Sequence, residues 1–252
     1  MKLTLAPALV AGTTLVARRW GALLGGVVGG FPAVVGPILI ALTAQHGDDF
    51  AARAAAGALA GLISLTAFVV GYGWVARRLS WPATLVVSWA AFALATAALD
   101  GVTLRSEVAL PVVLACFGAG YLAMPRFNRP AAAGTPPRFD LAMRVAATAA
   151  FVVILTAASG ALGPQLSGLL AAFPVLASVL AAFIHAQDGA AAASEFLRGL
   201  LGGLAGFASF CFVVAQLLPH VTAVAAFAAA TAVALVVNGS LAVAARARLR
   251  AA

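Results

Sequence analysis

The sequence predicts an all-α polytopic membrane protein of about nine transmembrane helices, arranged as two four-helix inverted repeats joined by a linking helix. Three observations lead to this prediction. Of the 252 residues, 64% are hydrophobic and 9% are charged, and the mean hydropathy is +1.09, whereas a soluble domain carries about a quarter charged residues. The apolar residues form runs of about 20, the length of a bilayer-crossing helix. The chain also matches itself at one fixed offset, which places Phe31 on Phe173.

Nine apolar runs have the length, or nearly the length, of a membrane-spanning helix. The first run is short and follows Lys2, so it also has the pattern of a signal peptide, and cleavage after residues 1–17 would leave eight spans. The first run has a counterpart in the repeat, 141–161, and this argues against its cleavage. The predicted spans are 3–17, 21–43, 52–76, 81–99, 108–124, 141–161, 165–185, 196–218 and 221–245.

The arginines predict the orientation, because positive charges concentrate on the cytoplasmic side of membrane proteins. If the N-terminus is outside and the C-terminus is cytoplasmic, twelve arginines lie on the cytoplasmic side and only Lys2, Arg53 and Arg105 lie outside. An odd number of spans agrees with this arrangement. Because the net charge of +8 is spread over short clusters between spans, we predict no nucleic-acid partner.

The internal repeat divides the chain into three parts. In the repeat register, defined by placing Phe31-Pro32 on Phe173-Pro174, several glycines also match without a gap. Biased composition matches alanines and leucines by chance, but it does not align these rarer features. One unmatched span, 108–124, returns the chain across the membrane, so the two halves have opposite orientations. The predicted parts are a first four-helix repeat (1–104), a linking helix with a cytoplasmic linker (105–140) and a second four-helix repeat (141–252).

Each Phe-Pro dipeptide lies near the middle of a predicted span. A proline inside a helix leaves the carbonyl four residues earlier without its N–H donor, so Val28 and Leu170 would each carry a free acceptor at mid-depth. A kink compensated by a neighbouring Ser or Thr is one explanation. Paired helix breaks near the midplane of inverted repeats are also typical of a transporter's substrate site. The candidate substrate-binding residues are Val28, Phe31, Pro32, Leu170, Phe173 and Pro174.

Glycines recur at four-residue spacing in several spans. This spacing is typical of helices that pack closely in a membrane. It predicts close packing of the second span with the third and of the seventh with the eighth. The pairs are Gly25 with Gly29, Gly26 with Gly30, Gly57 with Gly61 and Gly199 with Gly203.

Polar residues stand at related ends of two spans, in the stretches AQHGDD (44–49) and HAQDG (185–189). On one interpretation they are ordinary loop residues. On the other they form a gate or a pH-sensitive access site, since histidine titrates near neutrality. The candidate residues of this site are Gln45, His46, His185, Gln187 and Asp188.

The sequence has no pattern that indicates an enzyme. It lacks the spacing of a zinc protease and of a nucleophile elbow, and neither the three histidines nor Cys116 and Cys211 have ligand spacing. We therefore predict no catalytic residue, no metal and no cofactor. Coupled pumps place an ionisable residue at mid-depth, and the predicted spans have none there, so we expect a neutral or amphipathic substrate.

Residues 5–95 resemble the GlpM family, small four-span bacterial inner-membrane proteins associated with alginate production. The resemblance is carried by an apolar span, the pair Arg18-Arg19, the stretch GALLGGVVGGFP (21–32) and the polar turn QHGDDFAAR (45–53). Residues 141–245 repeat the pattern without the basic pair, so the chain looks like two such units fused through an extra span. The resemblance implies the bacterial inner (plasma) membrane and an envelope-export context, and it brings no catalytic residues.

Two functions fit these features. The first is a transporter or flippase-like protein that moves a neutral or amphipathic small molecule or a lipid-linked envelope precursor. The second is a non-transporting scaffold or accessory subunit of an envelope polysaccharide or lipid-handling complex. The expected partners are the lipid bilayer and, for the transporter, a small-molecule or lipid substrate. A homo-oligomer is left open.

Overall fold

The fold is all helical over the residues that the computed structural model describes, which are 2–32, 35–99, 105–127, 139–154 and 173–251. A chain this apolar must satisfy its backbone N–H and C=O groups internally, and helices do so within one segment. The all-α prediction is confirmed. The helices are α1 (Lys2–Trp20), α2 (Ala22–Gly29), α3 (Val35–His46), α4 (Asp48–Val75), α5 (Trp81–Leu99), α6 (Ser106–Ala123), α7 (140–154), α8 (Val175–Leu217) and α9 (Ala223–Ala251).

Five of the described helices are long and apolar enough to cross a bilayer, which identifies a membrane protein. The 43 residues of α8 exceed one crossing and include most of two predicted spans. The full count of about nine spans and the repeat organisation stay predictions. The five helices are Asp48–Val75, Trp81–Leu99, Ser106–Ala123, Val175–Leu217 and Ala223–Ala245.

The predicted span 21–43 is not one helix but two. The first piece, α2, has only 8 residues and ends at Gly29, and α3 begins at Val35. Pro32 has no N–H to continue the helix, and its ring would clash with the carbonyl of Val28. The dipeptide Phe31-Pro32 therefore lies outside both helices.

Glycines with left-handed backbone mark points where helices restart. Gly21 has φ 94° between α1 and α2, Gly47 has φ 85° between α3 and α4, and Gly189 has φ 87° and divides α8 into two helical segments. Only glycine adopts this conformation without a steric cost. The residues between the seventh and eighth predicted spans, 186–195, are therefore helical apart from the single break at Gly189.

The centre of the molecule is α8, which packs against α2, α4, α6 and α9. Its buried face carries large apolar side chains such as Phe196, Leu197 and Leu201. A helix that is apolar over most of its circumference is typical of a buried position in a membrane bundle.

Glycines bring α2 and α8 into backbone contact. A methyl group at Gly199 or Gly203 would overlap the carbonyl groups of Leu23 and Val27. The predicted close packing of the second span with the third is therefore wrong for α2, whose glycine contact is with the second segment of α8. Small residues at four-residue spacing allow this approach from either helix, so the spacing alone does not identify the partner. No described atom comes within 4 Å of a methyl group built at Gly57 or Gly61.

Candidate functional site

The first helix break, at Phe31-Pro32, closes α2 with a tight turn. The Phe31 N–H donates to the Val28 carbonyl at 3.1 Å, and the Gly30 N–H donates to the Gly26 carbonyl at 3.1 Å. The expectation of a free acceptor at Val28 is wrong, because the chain leaves the helix before the proline instead of carrying the proline inside it. Phe31 is half-buried and Pro32 is buried.

The second dipeptide, Phe173-Pro174, is also non-helical and lies directly before a helix, and we refer to this position as the second break; residues 155–172 lie outside the described part of the chain. Phe173 is half-buried, Pro174 is buried, and α8 begins at the next residue. The Ser178 N–H donates to the Pro174 carbonyl at 2.8 Å. At the first break the Gly36 N–H donates to the Pro32 carbonyl at 3.1 Å, so each proline carbonyl begins the helix that follows it. Leu170 lies outside the described residues.

The first break borders an apolar cleft of about 170 Å³ between α3, α8 and α9. Its polar side chain, Thr231, donates its hydroxyl to the Phe227 carbonyl at 2.8 Å. Neither Phe173 nor Pro174 lines this cleft, so the described residues do not place the two breaks in one cavity. The lining residues are Phe31, Pro32, Gly36, Pro37, Ile40, Phe210, Phe227 and Thr231.

The second break lies instead in a cluster of aromatic rings. The Phe173 ring centroid is 5.5 Å from that of Trp89, 5.8 Å from that of Phe92 and 5.7 Å from that of Phe151. These separations are typical of favourable ring pairs. The Trp89 indole N–H also donates to the Ser178 hydroxyl oxygen at 2.9 Å. Side chains from α5, α7 and α8 therefore fill the space beside this break.

The candidate gate residues lie in different surroundings. Gln45 and His46 are exposed, and the His46 ring stacks on Phe50 with the centroids 4.7 Å apart. His185 is half-buried, and its Nδ1 atom lies 3.3 Å from the Tyr72 hydroxyl. Asp188 is half-buried beside the break in α8. Residues 45–46 and 185–188 thus contact different neighbours.

Gln187 belongs to a partly buried ionic network with Arg18, Asp140 and Arg144. The Arg144 Nε donates to Asp140 at 2.9 Å, and an Arg18 guanidinium N–H donates to Asp140 Oδ2 at 2.6 Å. The Gln187 amide donates to Asp140 Oδ1 and accepts from Arg144 Nη2 at 2.9 Å. The network joins α1, α7 and α8.

The environment of Asp140 keeps its carboxylate charged. The side chain is fully buried, and burial alone would raise its pKa. Hydrogen bonds from Gln187, Arg144 and Arg18 outweigh that effect and hold the pKa of Asp140 below its usual range. The sequence interpretation missed this group, because it assigned residue 140 to a polar linker. The i,i+4 spacing of Asp140 and Arg144 was the available signal.

A second, wider cavity of about 320 Å³ lies where α4 and α6 begin and α8 ends. The two arginines predicted to lie outside, Arg53 and Arg105, both line it. Arg105 pairs with Glu107 at 3.6 Å, and the Gln216 amide donates to the Ser106 hydroxyl at 3.3 Å. The lining residues are Asp49, Ala52, Arg53, Ala56, Arg105, Ser106, Glu107, Ala215 and Pro219.

The structure thus presents an apolar cleft at one helix break, an aromatic cluster at the other and an ionic network of three helices. The cleft offers apolar contact surface, and the network is a set of paired charges that links α1, α7 and α8. The GlpM resemblance stays a prediction from the sequence. Comparison with protein-family models, with curated proteins and with solved structures finds no match.

Proposed function

We propose that the protein is a bacterial inner-membrane transporter or flippase-like protein that moves a neutral or amphipathic small molecule or a lipid-linked envelope precursor. The observation that carries this proposal is that the two Phe-Pro dipeptides, Phe31-Pro32 and Phe173-Pro174, coincide in the repeat register and are both non-helical directly before a helix. Non-helical backbone at membrane depth is tolerated where protein or a cavity satisfies it. Interrupted helices in inverted repeats are typical of transporter substrate sites.

Other features support the inverted halves. The left-handed glycines Gly47 and Gly189 coincide in the same register. So do Gly36 and Ser178, whose N–H groups donate to the two proline carbonyls. Such agreement is expected if each half folds in the same way around its own break.

The ionic network supports the predicted orientation. The charge distribution assigns Arg18, Asp140, Arg144 and Gln187 to the cytoplasmic side, and these four residues contact one another. The same distribution assigns Arg53 and Arg105 to the outside, and both line the wider cavity. We infer that the network closes the cytoplasmic side, with Gln187 as the gate residue that ties α8 to α7.

The rival function is a non-transporting scaffold or accessory subunit, for which the glycines would serve assembly with other proteins. Four of those glycines are used inside the chain, where α2 meets α8: Gly26, Gly30, Gly199 and Gly203. Their internal use removes one argument for the scaffold. Stable co-purification with an envelope-polysaccharide or lipid-handling enzyme would favour it again.

Cysteine labelling tests whether the first break faces water during transport. In a background with Cys116→Ala and Cys211→Ala, the variant Phe31→Cys is treated with a membrane-impermeant maleimide from each face of the membrane. We expect labelling from one face in this background and faster labelling from the cytoplasmic face when Asp140→Asn weakens the gate.

The matched control is Leu94→Cys, because Leu94 is an exposed apolar side chain on α5 and would face lipid. It should stay unlabelled from both faces. If Phe31→Cys is as unreactive as this control, with and without Asp140→Asn, the transporter proposal is wrong.

A further inference from the structure

The apolar cleft and the aromatic cluster occupy matching places in the two halves of the chain. In the repeat register, Thr231, which lines the cleft, falls on Trp89, which belongs to the cluster. Gly36 falls on Ser178 in the same register. The two surroundings can therefore be compared position by position.

At Phe173-Pro174, in the second repeat, an indole contributed by the first repeat fills the space beside the break. Trp89 packs on Phe173 with the ring centroids 5.5 Å apart and is held by its hydrogen bond to Ser178. The indole is also 5.8 Å from the Phe151 ring. An aromatic ring against the Phe-Pro break is thus a packing solution that this protein already uses.

At Phe31-Pro32, in the first repeat, the corresponding side chains are too small to fill that space. In the repeat register Thr231 takes the position of Trp89. Gly36 takes the position of Ser178, and it has no side chain that could accept a hydrogen bond. The result is the cleft of about 170 Å³ beside Phe31. An apolar cavity of roughly 150 Å³ is large enough to hold one benzene molecule.

The chemistry of the cleft suits a ring rather than a polar group. Phe31, Phe210 and Phe227 contribute aromatic rings, with Phe210 and Phe227 6.4 Å apart between centroids. The Thr231 hydroxyl already donates within its own helix. Aromatic rings pair favourably in offset or edge-to-face arrangements at such distances.

The cleft opens on the outer surface between α3 and α9. Ile40 on α3 is 51% exposed, and Thr231 on α9 is exposed. In the proposed transporter this surface faces the hydrocarbon of the bilayer while the break is closed to water, so a ligand would reach the cleft from the lipid phase before the break opens to one face. A neutral apolar ligand partitions into that phase, whereas a charged one is excluded from it.

We propose that the cleft binds one aromatic ring of a neutral ligand, in the place that the Trp89 indole takes beside the second break. This inference rests on the proposed function for the ligand's role as substrate, and it names the substrate class as neutral aromatic compounds. The binding itself is measured without any assay of transport.

The test uses 5-fluoroindole as the probe and the full-length protein in lipid nanodiscs, with the fluorine NMR signal reporting saturable binding above that of empty nanodiscs. We expect one site in the natural chain. Thr231→Trp, which places an indole in the cleft, should weaken binding at least about tenfold, the effect of losing one set of ring contacts. The matched control, Val236→Trp, adds an indole on the exposed face of α9 and should leave binding unchanged.

Two further variants keep the result interpretable if Thr231→Trp does not fold. Gly36→Ala adds a methyl group 3.4 Å from the Phe210 ring and should also weaken binding. The double change Trp89→Thr with Ser178→Gly should open a second cleft and raise the stoichiometry to two. Absence of saturable binding in the natural chain, or binding that neither Thr231→Trp nor Gly36→Ala weakens, would overturn the proposal.

The outcomes separate this inference from the proposed function. Probe binding that Thr231→Trp abolishes, in a protein whose Phe31→Cys is never labelled, would support the ring site and contradict the transporter. Labelling of Phe31→Cys that shifts with Asp140→Asn, in a protein without probe binding, would support the transporter and overturn the ring site.

Discussion

Loss of the Asp140 side chain should destabilise the protein strongly. This side chain is fully buried and binds the guanidinium of Arg144, whose side chain is 5% exposed. Asp140→Ala leaves that buried charge with Gln187 as its remaining network partner. Breaking a buried ion pair in this way costs about 3–5 kcal/mol. We expect a clearly lower unfolding midpoint in detergent.

The control for this change is Glu107→Ala, which breaks a solvent-exposed pair with Arg105. Exposed ion pairs contribute little to stability, so its midpoint should equal that of the natural chain. Equal midpoints for Asp140→Ala and Glu107→Ala would show that the ionic network does not hold α1, α7 and α8 together.

The same carboxylate predicts a pH dependence. The pKa of Asp140 is lowered in the folded protein, so the unfolded chain binds the proton more tightly and folding is favoured when the group is charged. This contribution is fully present above the unfolded pKa of about 4 and is lost as the pH falls through the folded pKa. Melting curves between neutral pH and about pH 3 should show a loss in the natural chain that Asp140→Asn lacks. Parallel curves for the two proteins would contradict this assignment.

At the scale of elements, the contact between α2 and α8 depends on the absence of side chains. Gly199→Ala or Gly203→Ala would push a methyl group into the α2 backbone. Overpacking of this kind costs about 1–3 kcal/mol, so the unfolding midpoint should fall. Gly202→Ala is the control, because no described atom lies within 4 Å of its added methyl group. If Gly202→Ala destabilises as much as its neighbours, close helix packing is not the cause.

The left-handed glycines Gly47 and Gly189 give a paired prediction. Gly47→Ala and Gly189→Ala each force a side chain into an extended conformation with positive φ, which costs about 1–3 kcal/mol. If the two glycines play the same part in two similar halves, the two losses should be nearly equal in a thermal unfolding measurement. A large loss at one position and none at the other would count against similar halves. Gly61→Ala, within α4, serves as the helical control.

At the scale of the molecule, hydropathy was enough to predict the helical class and several helix bounds. Span 81–99 coincides with α5, since a long apolar run between polar turns leaves few alternatives. The break at Phe31-Pro32 was predictable as a position but not as a conformation. A proline can kink a helix or end it, and the choice depends on whether Phe31 N–H can turn back to Val28.

The candidate site was less predictable, because its contacts join distant parts of the chain. Asp140 and Arg18 are 122 residues apart, and no local pattern connects them. The difference between Trp89 and Thr231 is visible in the repeat alignment. Only the structure shows the consequence of that difference: Trp89 fills the space beside Phe173, whereas Thr231 lines an open cleft beside Phe31.

The proposed transporter requires its two opposed halves to open alternately to the two sides of the membrane, and paired distance measurements test this requirement directly. Spin labels at Arg19 and Ala186 report the end with the ionic network, and labels at His46 and Val221 report the other end; all four residues are exposed. If the halves alternate, Asp140→Asn should lengthen the first distance and shorten the second. Unchanged distances at both ends, or changes in the same direction, would contradict it.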